Sequence, residues 1–134
     1  MLFAISSNAY DRDFRSGRIE LLDWMSICAR ELRVHGIEID IRHLQSSDED
    51  YIKSVRRIAV DLQLQIAALS IDSDFGSDDE DQIEKELEQV ERALQAAQEL
   101  GAPILRLRAG SPGENKQQAW DGLVHCLQIA CLLA

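Results

Sequence analysis

The chain has 134 residues, 46% of them hydrophobic, and its 24 acidic and 14 basic residues give a formal charge of −10. A chain of this length buries roughly two-thirds of its unfolded surface, so a single cored domain spanning residues 1–134 is expected. The charge disfavours nucleic acid and anionic membranes as partners, and no apolar run approaches the ~18 residues that a membrane-spanning helix needs.

In chain order, Met1 leads directly into a strand near residues 2–6, which ends in Ser6-Ser7-Asn8. A helical stretch follows, in which Leu22, Ile27 and Leu32 share a broad apolar face with Cys28 and Ala29. Gly36 is expected as its left-handed C-terminal residue, opening a second strand near 37–41. Ser47-Asp-Glu-Asp50 has the form of a capping box for a second helix carrying Ile52, Val55, Ile58 and Leu62. The third strand, near 64–71, runs into the acidic stretch Asp72–Asp81, read as a solvated loop. Ser77-Asp-Asp-Glu80 would cap the third helix, where Ile83, Leu87, Val90, Leu94, Ala97 and Leu100 step by three or four. Gly101 closes that helix before a fourth strand near 104–108. Ser111-Pro-Gly-Glu114 could begin the fourth helix in a similar way, near Asn115, and that helix carries Leu123, Leu127, Ala130 and Leu133.

The order is therefore βαβαβαβα, which implies a parallel sheet with helical crossovers. Each unit takes about 33 residues, one-eighth of the roughly 250 residues of an eight-unit barrel. The expected fold is α/β, a parallel (βα)4 half of a (β/α)8 barrel, with strands in sequential order and helices on one face. The final run, Cys126 to Ala134, carries no cap, glycine or polar tail, and the expectation is of a longer parent that continues into a fifth strand.

The basic residues are scattered, and the densest pair, Arg56–Arg57, falls on an expected helix. Cys28, Cys126 and Cys131 are an odd number without a C-x-x-C pair, and they lie in apolar helical stretches where a free thiol packs as a small hydrophobe. With no basic n-region and apolar run after Met1, a reducing, cytoplasmic setting is expected.

Charges on two strands carry the functional argument. In Ile37-Glu38-Ile39-Asp40-Ile41-Arg42 the isoleucines share one face, and Glu38, Asp40 and Arg42 share the other. In Ile104-Leu105-Arg106-Leu107-Arg108 the two arginines oppose the two leucines. Both charged faces should line the barrel interior, where unpaired charge is costly, so Glu38 or Asp40 is expected to pair with Arg106 or Arg108. This interior ionic network is the structural explanation of the four residues. The functional one puts Arg42, His43 and Arg108 near the strand C-terminal ends, where barrel sites form, with forks suited to a phosphate or sugar hydroxyls. Ser7 and Asn8, beside Ser6 at the end of the first strand, could line the same pocket. His43 is a candidate acid/base or ligand, and an isolated loop histidine is commonly incidental. His35 belongs at a helix C-terminus and His125 inside a helix. No H-x-x-x-H, H-E-x-x-H or carboxylate–histidine cluster points to a metal. Neither G-x-S-x-G nor a phosphate-binding P-loop is present, and Gly110-Ser-Pro-Gly113 is too generic to count.

Gly36-Ile-Glu-Ile-Asp-Ile-Arg42 resembles the second strand of xylose isomerase-like TIM-barrel proteins, the sugar phosphate isomerase/epimerase group. Ala93 to Gly110 is similar to that family's third helix and fourth strand, and Trp120 with the apolar helix after it matches the fourth helix. The resemblance implies an eight-stranded barrel with a divalent metal (Mn, Mg or Zn), used in proton transfer or hydride shift next to a sugar carbonyl. In the epimerase branch it implies a Glu/Asp/His/Glu ligand set on strands five to eight, outside this chain. Carried over residue by residue, it leaves no catalytic residue and no metal ligand here, only Glu38 and Arg106 as interior residues, and no cofactor is expected for this chain. The related endonuclease branch takes histidines from earlier strands. Here Ser70, Asp72 and Arg108 stand at those strand ends, which disfavours DNA repair.

Two functions follow. One is the N-terminal half of a sugar phosphate isomerase/epimerase-like enzyme, inactive alone, with a sugar or sugar phosphate as partner and with self-association through exposed strand edges. The other is a self-contained half-barrel that dimerises as a small-molecule-binding module without catalysis. Whether the chain by itself is an enzyme stays open.

Overall fold

The computed structural model describes residues 2–76, 79–111 and 116–134. Four strands form one parallel sheet in sequential order: β1 (Ala4–Ser6), β2 (Gly36–Asp40), β3 (Gln65–Ser70) and β4 (Leu105–Arg106). The helices are α1 (Asp11–Arg15), α2 (Leu21–Arg30), α3 (Glu49–Asp61), α4 (Glu80–Leu100) and α5 (Lys116–Leu133). The parallel α/β order of a half TIM barrel is thus present.

The chain divides into two compact units. The first comprises residues 1–70 and 96–106, and the second residues 71–95 and 107–134. The first holds the whole sheet. Ile5 pairs with Ile37, Ile37 with Ile66, Ile39 with Leu69 and Leu69 with Leu105, so one sheet face is a continuous apolar row. Ile37, Ile39 and Leu69 have no exposed surface. The other face carries Ser6, Glu38, Ala68, Ser70 and Arg106 in register. A shift between Ile37 and Glu38 lets Ala67 bulge out of β3 and so keeps the apolar rows of β2 and β3 aligned.

Several local expectations are corrected. The sheet uses shorter strands than the apolar runs offered, with β4 reduced to two residues and Ile41 turning out of β2 into a 3-10 turn, Ile41–His43. The cause of the turn is the Asp40 carboxylate, which accepts the Arg42 backbone N–H at 3.0 Å in the manner of an Asx cap. Gly36 lies inside β2 rather than at a helix end. A Cβ there would sit 2.8 Å from the Gln65 carbonyl oxygen, so close strand packing, not helix termination, explains it. The left-handed residue after α2 is Arg33, at φ 51. Gly101, at φ +71, does close α4 as expected, with Ala102 N–H donating back to the Ala97 carbonyl.

The buried row of α2 is Leu21, Trp24, Met25 and Cys28, not the face holding Leu22 and Leu32. Trp24 fills that row completely and meets Tyr10 and Phe14 edge to face. Asp48, not Ser47, stands at the N-cap of α3; the Ser46 hydroxyl donates to the Asp48 carboxylate and accepts the Asp48 backbone N–H. Ile52, Val55 and Ala59 form the buried row of α3.

In the second unit Phe75 and Val90 have no exposed surface. Asp79 caps α4 by accepting the Asp81 N–H at 3.0 Å, while Ser77, and the Ser111–Glu114 box after Ser111, lie outside the described residues. Helix α5 buries Ala119, Cys126 and Ala130 and exposes Leu127 and Leu133. Cys28 and Cys126 are buried and Cys131 is exposed, all three as free thiols. Among the described residues no helix is long and apolar enough to cross a membrane.

Candidate functional site

The C-terminal ends of β1 and β2 each turn straight into a 3-10 turn, Ser7–Tyr10 and Ile41–His43. Parallel strands bring these two turns side by side, and four of the expected binding residues, Ser7, Asn8, Arg42 and His43, meet there. Asp40 is almost wholly buried and receives both Arg42 Nε, at 2.9 Å on one oxygen, and Arg42 Nη2, at 3.0 Å on the other. Such a two-point fork fixes the guanidinium plane. Arg42 Nη2 also donates to Asn8 Oδ1 at 3.0 Å, which ties the two turns together. Burial alone would raise the Asp40 pKa. Hydrogen bonds from the Arg42 side chain and backbone and from Asn8 outweigh it, and the carboxyl is held below its usual range.

His43 is the second centre. Its ring is buried, with Nδ1 2.8 Å from Ser7 Oγ and Nε2 3.3 Å from Asp11 Oδ1. Phe14 stacks on the imidazole at a centroid distance of 4.0 Å and an interplanar angle of 11°. Ser7 Oγ in turn accepts the Asp40 backbone N–H at 2.9 Å. A groove of about 570 Å3 opens beside this cluster, with Asp11, Phe14, Arg42, His43 and Gln45 among its walls. Asp11 and Phe14 belong to α1, a five-residue helix too short and too polar to leave a periodic signal in the sequence.

Deeper on the same sheet face, Arg106 Nε and Nη2 donate to the two oxygens of Glu38 at 3.1 and 2.9 Å, and the Ser6 hydroxyl adds a third hydrogen bond at 2.7 Å. Burial pushes the Glu38 pKa up, but the bonds from Arg106 and Ser6 prevail and lower it. The Glu38 bonds in turn raise the Arg106 pKa, and the Asp40 charge adds to them. Of the four residues expected in an interior network, Glu38 therefore meets Arg106, while Asp40 meets Arg42. Arg108 lies in the second unit and pairs with Asp72 at 2.9 Å.

There the loops after β3 and β4 are zipped together. Ser73 Oγ accepts Arg108 N–H and donates to the Arg108 carbonyl. Asp74 Oδ1 accepts the N–H groups of both Gly76 and Ser111. Gly110 must pack directly on Asp74, since a Cβ would fall 1.9 Å from Oδ1.

Among the described residues no three His, Cys, Asp or Glu side chains converge on a metal-binding point. Glu38 and Asp40 both turn their oxygens to arginines. The described donor set therefore does not fit a divalent cation.

A family model, the xylose isomerase-like TIM barrel, matches residues 28–134. None of the curated proteins matches the chain. Among solved structures, protein SMc04130 from Sinorhizobium meliloti 1021 superposes with a TM-score of 0.75 at 21% identity, over 98% of this chain and 46% of its own. The probable 3-DHS dehydratase AsbF, involved in petrobactin synthesis in Bacillus anthracis, gives 0.75 at 22% identity, over 99% and 48%. The 3-keto-D-glucoside 4-epimerase YcjR from E. coli, in its apo form, gives 0.62 at 20% identity, over 84% and 47%. At these identities the superpositions speak to fold, and the chain spans about half the length of each structure. With the family model covering most of its length, the chain belongs to the xylose isomerase-like TIM-barrel family.

Proposed function

We propose that this chain supplies the substrate-holding first half of a sugar isomerase/epimerase-like enzyme, with a sugar or sugar phosphate as the molecule held. The observation that carries this reading is the Asp40–Arg42–Asn8 fork set beside His43 at the ends of β1 and β2. Asp40 fixes the plane of the Arg42 guanidinium on the wall of the groove, and a fixed planar cation suits hydroxyls or a phosphate. The epimerase and dehydratase named above, each acting in its own right, are consistent with carbon chemistry next to a carbonyl. Any divalent metal and base would come from strands beyond these four, so the chain alone is inactive. The free cysteines fit a cytoplasmic setting.

A second reading, a half-barrel that pairs with another copy and binds without catalysis, draws on Phe3 and Ile104, which are 63% and 59% exposed next to the outer strands β1 and β4. Unpaired strand edges invite association. Titration of the chain with fructose 6-phosphate, followed by amide shifts and by mass in solution, tests both. Binding that weakens roughly tenfold in Arg42→Ala, with no isomerisation in the presence of Mn2+, is the expected result. A tight dimer that binds equally well supports the second reading. No binding to sugars or their phosphates would overturn both.

A further inference from the structure

The partners around His43 allow its hydrogen bonds to run in one direction. Ser7 has no exposed surface, and its oxygen already accepts the Asp40 backbone N–H at 2.9 Å. Among the described residues the acceptor within reach of the Ser7 hydroxyl hydrogen is His43 Nδ1, at 2.8 Å. A nitrogen that accepts carries no proton, so in the neutral ring the proton sits on Nε2. Nε2 faces Asp11 Oδ1 at 3.3 Å, an acceptor. Phe14 packs flat against one face of the ring.

We propose that Asp11, His43 and Ser7 form a relay that holds His43 as its Nε2–H tautomer and, through the Asp40 backbone, positions the Arg42 fork. The relay runs from Asp11, on the wall of the groove, to Ser7, to the Asp40 N–H, and so to the carboxylate that grips Arg42 at two points. Asp11 and Ser7 are positioning residues here, since each acts through another side chain. The significance of Arg42 for sugars rests on the function proposed above, whereas the relay itself does not.

The first test leaves the relay residues unchanged. In 15N-labelled protein near neutral pH, long-range 15N–1H correlations read the tautomer of each histidine, and a His35→Gln/His125→Gln double variant leaves His43 as the sole signal. The expected spectrum has Nδ1 bare and Nε2 protonated. A ring that averages both tautomers, or one protonated at Nδ1, overturns the relay. The second test follows solvent exchange of the Arg42 Nε–H. Ser7→Ala should speed it about fivefold or more, the equivalent of one lost hydrogen bond, and Ser7→Thr, which keeps the hydroxyl, should restore it. Unchanged exchange in a folded Ser7→Ala chain refutes the coupling to Arg42; if that variant does not fold, the wild-type tautomer decides. Fructose 6-phosphate separates the two proposals: the expected tautomer without binding leaves the relay standing and removes the substrate, and binding with an averaged tautomer does the reverse.

Discussion

The Glu38–Arg106 pair should couple by about 1 kcal/mol in a double-mutant cycle. Its two N–H···O bonds, at 2.9 and 3.1 Å, have the fork geometry that gives charged hydrogen bonds their upper range, about 1.5–3 kcal/mol when buried. The Glu38 side chain is 19% exposed but the Arg106 side chain is 47% exposed, and an exposed pair yields only about 0.2–1 kcal/mol. A half-screened pair falls between these limits. Arg106→Ala alone should cost about 1 kcal/mol, because Ser6 still holds Glu38. Glu38→Ala should cost roughly 2 kcal/mol, since it also strands the Ser6 hydroxyl and Arg106. Urea denaturation of the wild type, both single variants and the double variant gives the coupling directly, and each kcal/mol should move Tm by about 3–4 °C in a chain of this size. In 1 M salt, where the Debye length falls to about 3 Å, the coupling should shrink. A coupling below about 0.3 kcal/mol would mean that solvent, not Arg106, satisfies Glu38, and the structural account of the interior face would fail.

Glu38 and Asp40 are both held below their usual pKa, so the unfolded chain binds more protons than the folded one in acid. Their contribution is complete above about pH 5 and is lost as the pH falls through the lowered values; urea midpoints that do not fall below about pH 4 would contradict this. Burial raises the Cys28 thiol to about 11, and with Cys28 and Cys126 buried and Cys131 exposed, iodoacetamide at pH 8 should modify Cys131 alone until the chain unfolds. Peptide mass spectrometry reads this, and early labelling of Cys28 would disprove its burial. Gly122 in α5 has nothing within 4 Å of an added Cβ, so Gly122→Ala should stabilise by about 0.5–1 kcal/mol. Gly36→Ala should destabilise by about 1–3 kcal/mol, because the Gln65 carbonyl must move. Equal effects at the two glycines would refute the contact argument.

The parts of the fold that could be read in the sequence are those governed by a long period. Ile37, Glu38, Ile39 and Asp40 alternate strictly, and that alternation alone places Glu38 on the charged face where Arg106 meets it. The row from Ile83 to Leu100 repeats often enough to set α4. What escaped was decided by contacts between distant segments. Helix α1 has five residues and owes its place to Phe14 packing on His43 and Trp24, so neither Asp11 nor Phe14 could be recognised beforehand. The expected partner of Asp40 is Arg106 or Arg108, and the 3-10 turn gives it Arg42 instead because it folds that side chain back over the Asp40 carboxylate. In α2 the expected face holds Leu22 and Leu32, whereas the buried row is Leu21, Trp24, Met25 and Cys28. The Asp74 hub joins two loops whose sequences show no period at all.

The sequential strand order has a kinetic consequence. Ser6 reaches Glu38 across 32 residues, Ser70 reaches Ile39 across 31, and the Ser73–Arg108 clasp spans 35. Each ring closure therefore carries nearly the same entropic penalty, since that penalty grows only with the logarithm of loop length. The Glu38–Arg106 pair spans 68 residues, but neighbouring strands join over the shorter rings, and each βα repeat can dock on its predecessor as it leaves the ribosome. Folding of the sheet should proceed as a zipper of near-identical steps, at a rate set by one such step rather than by the length of the chain.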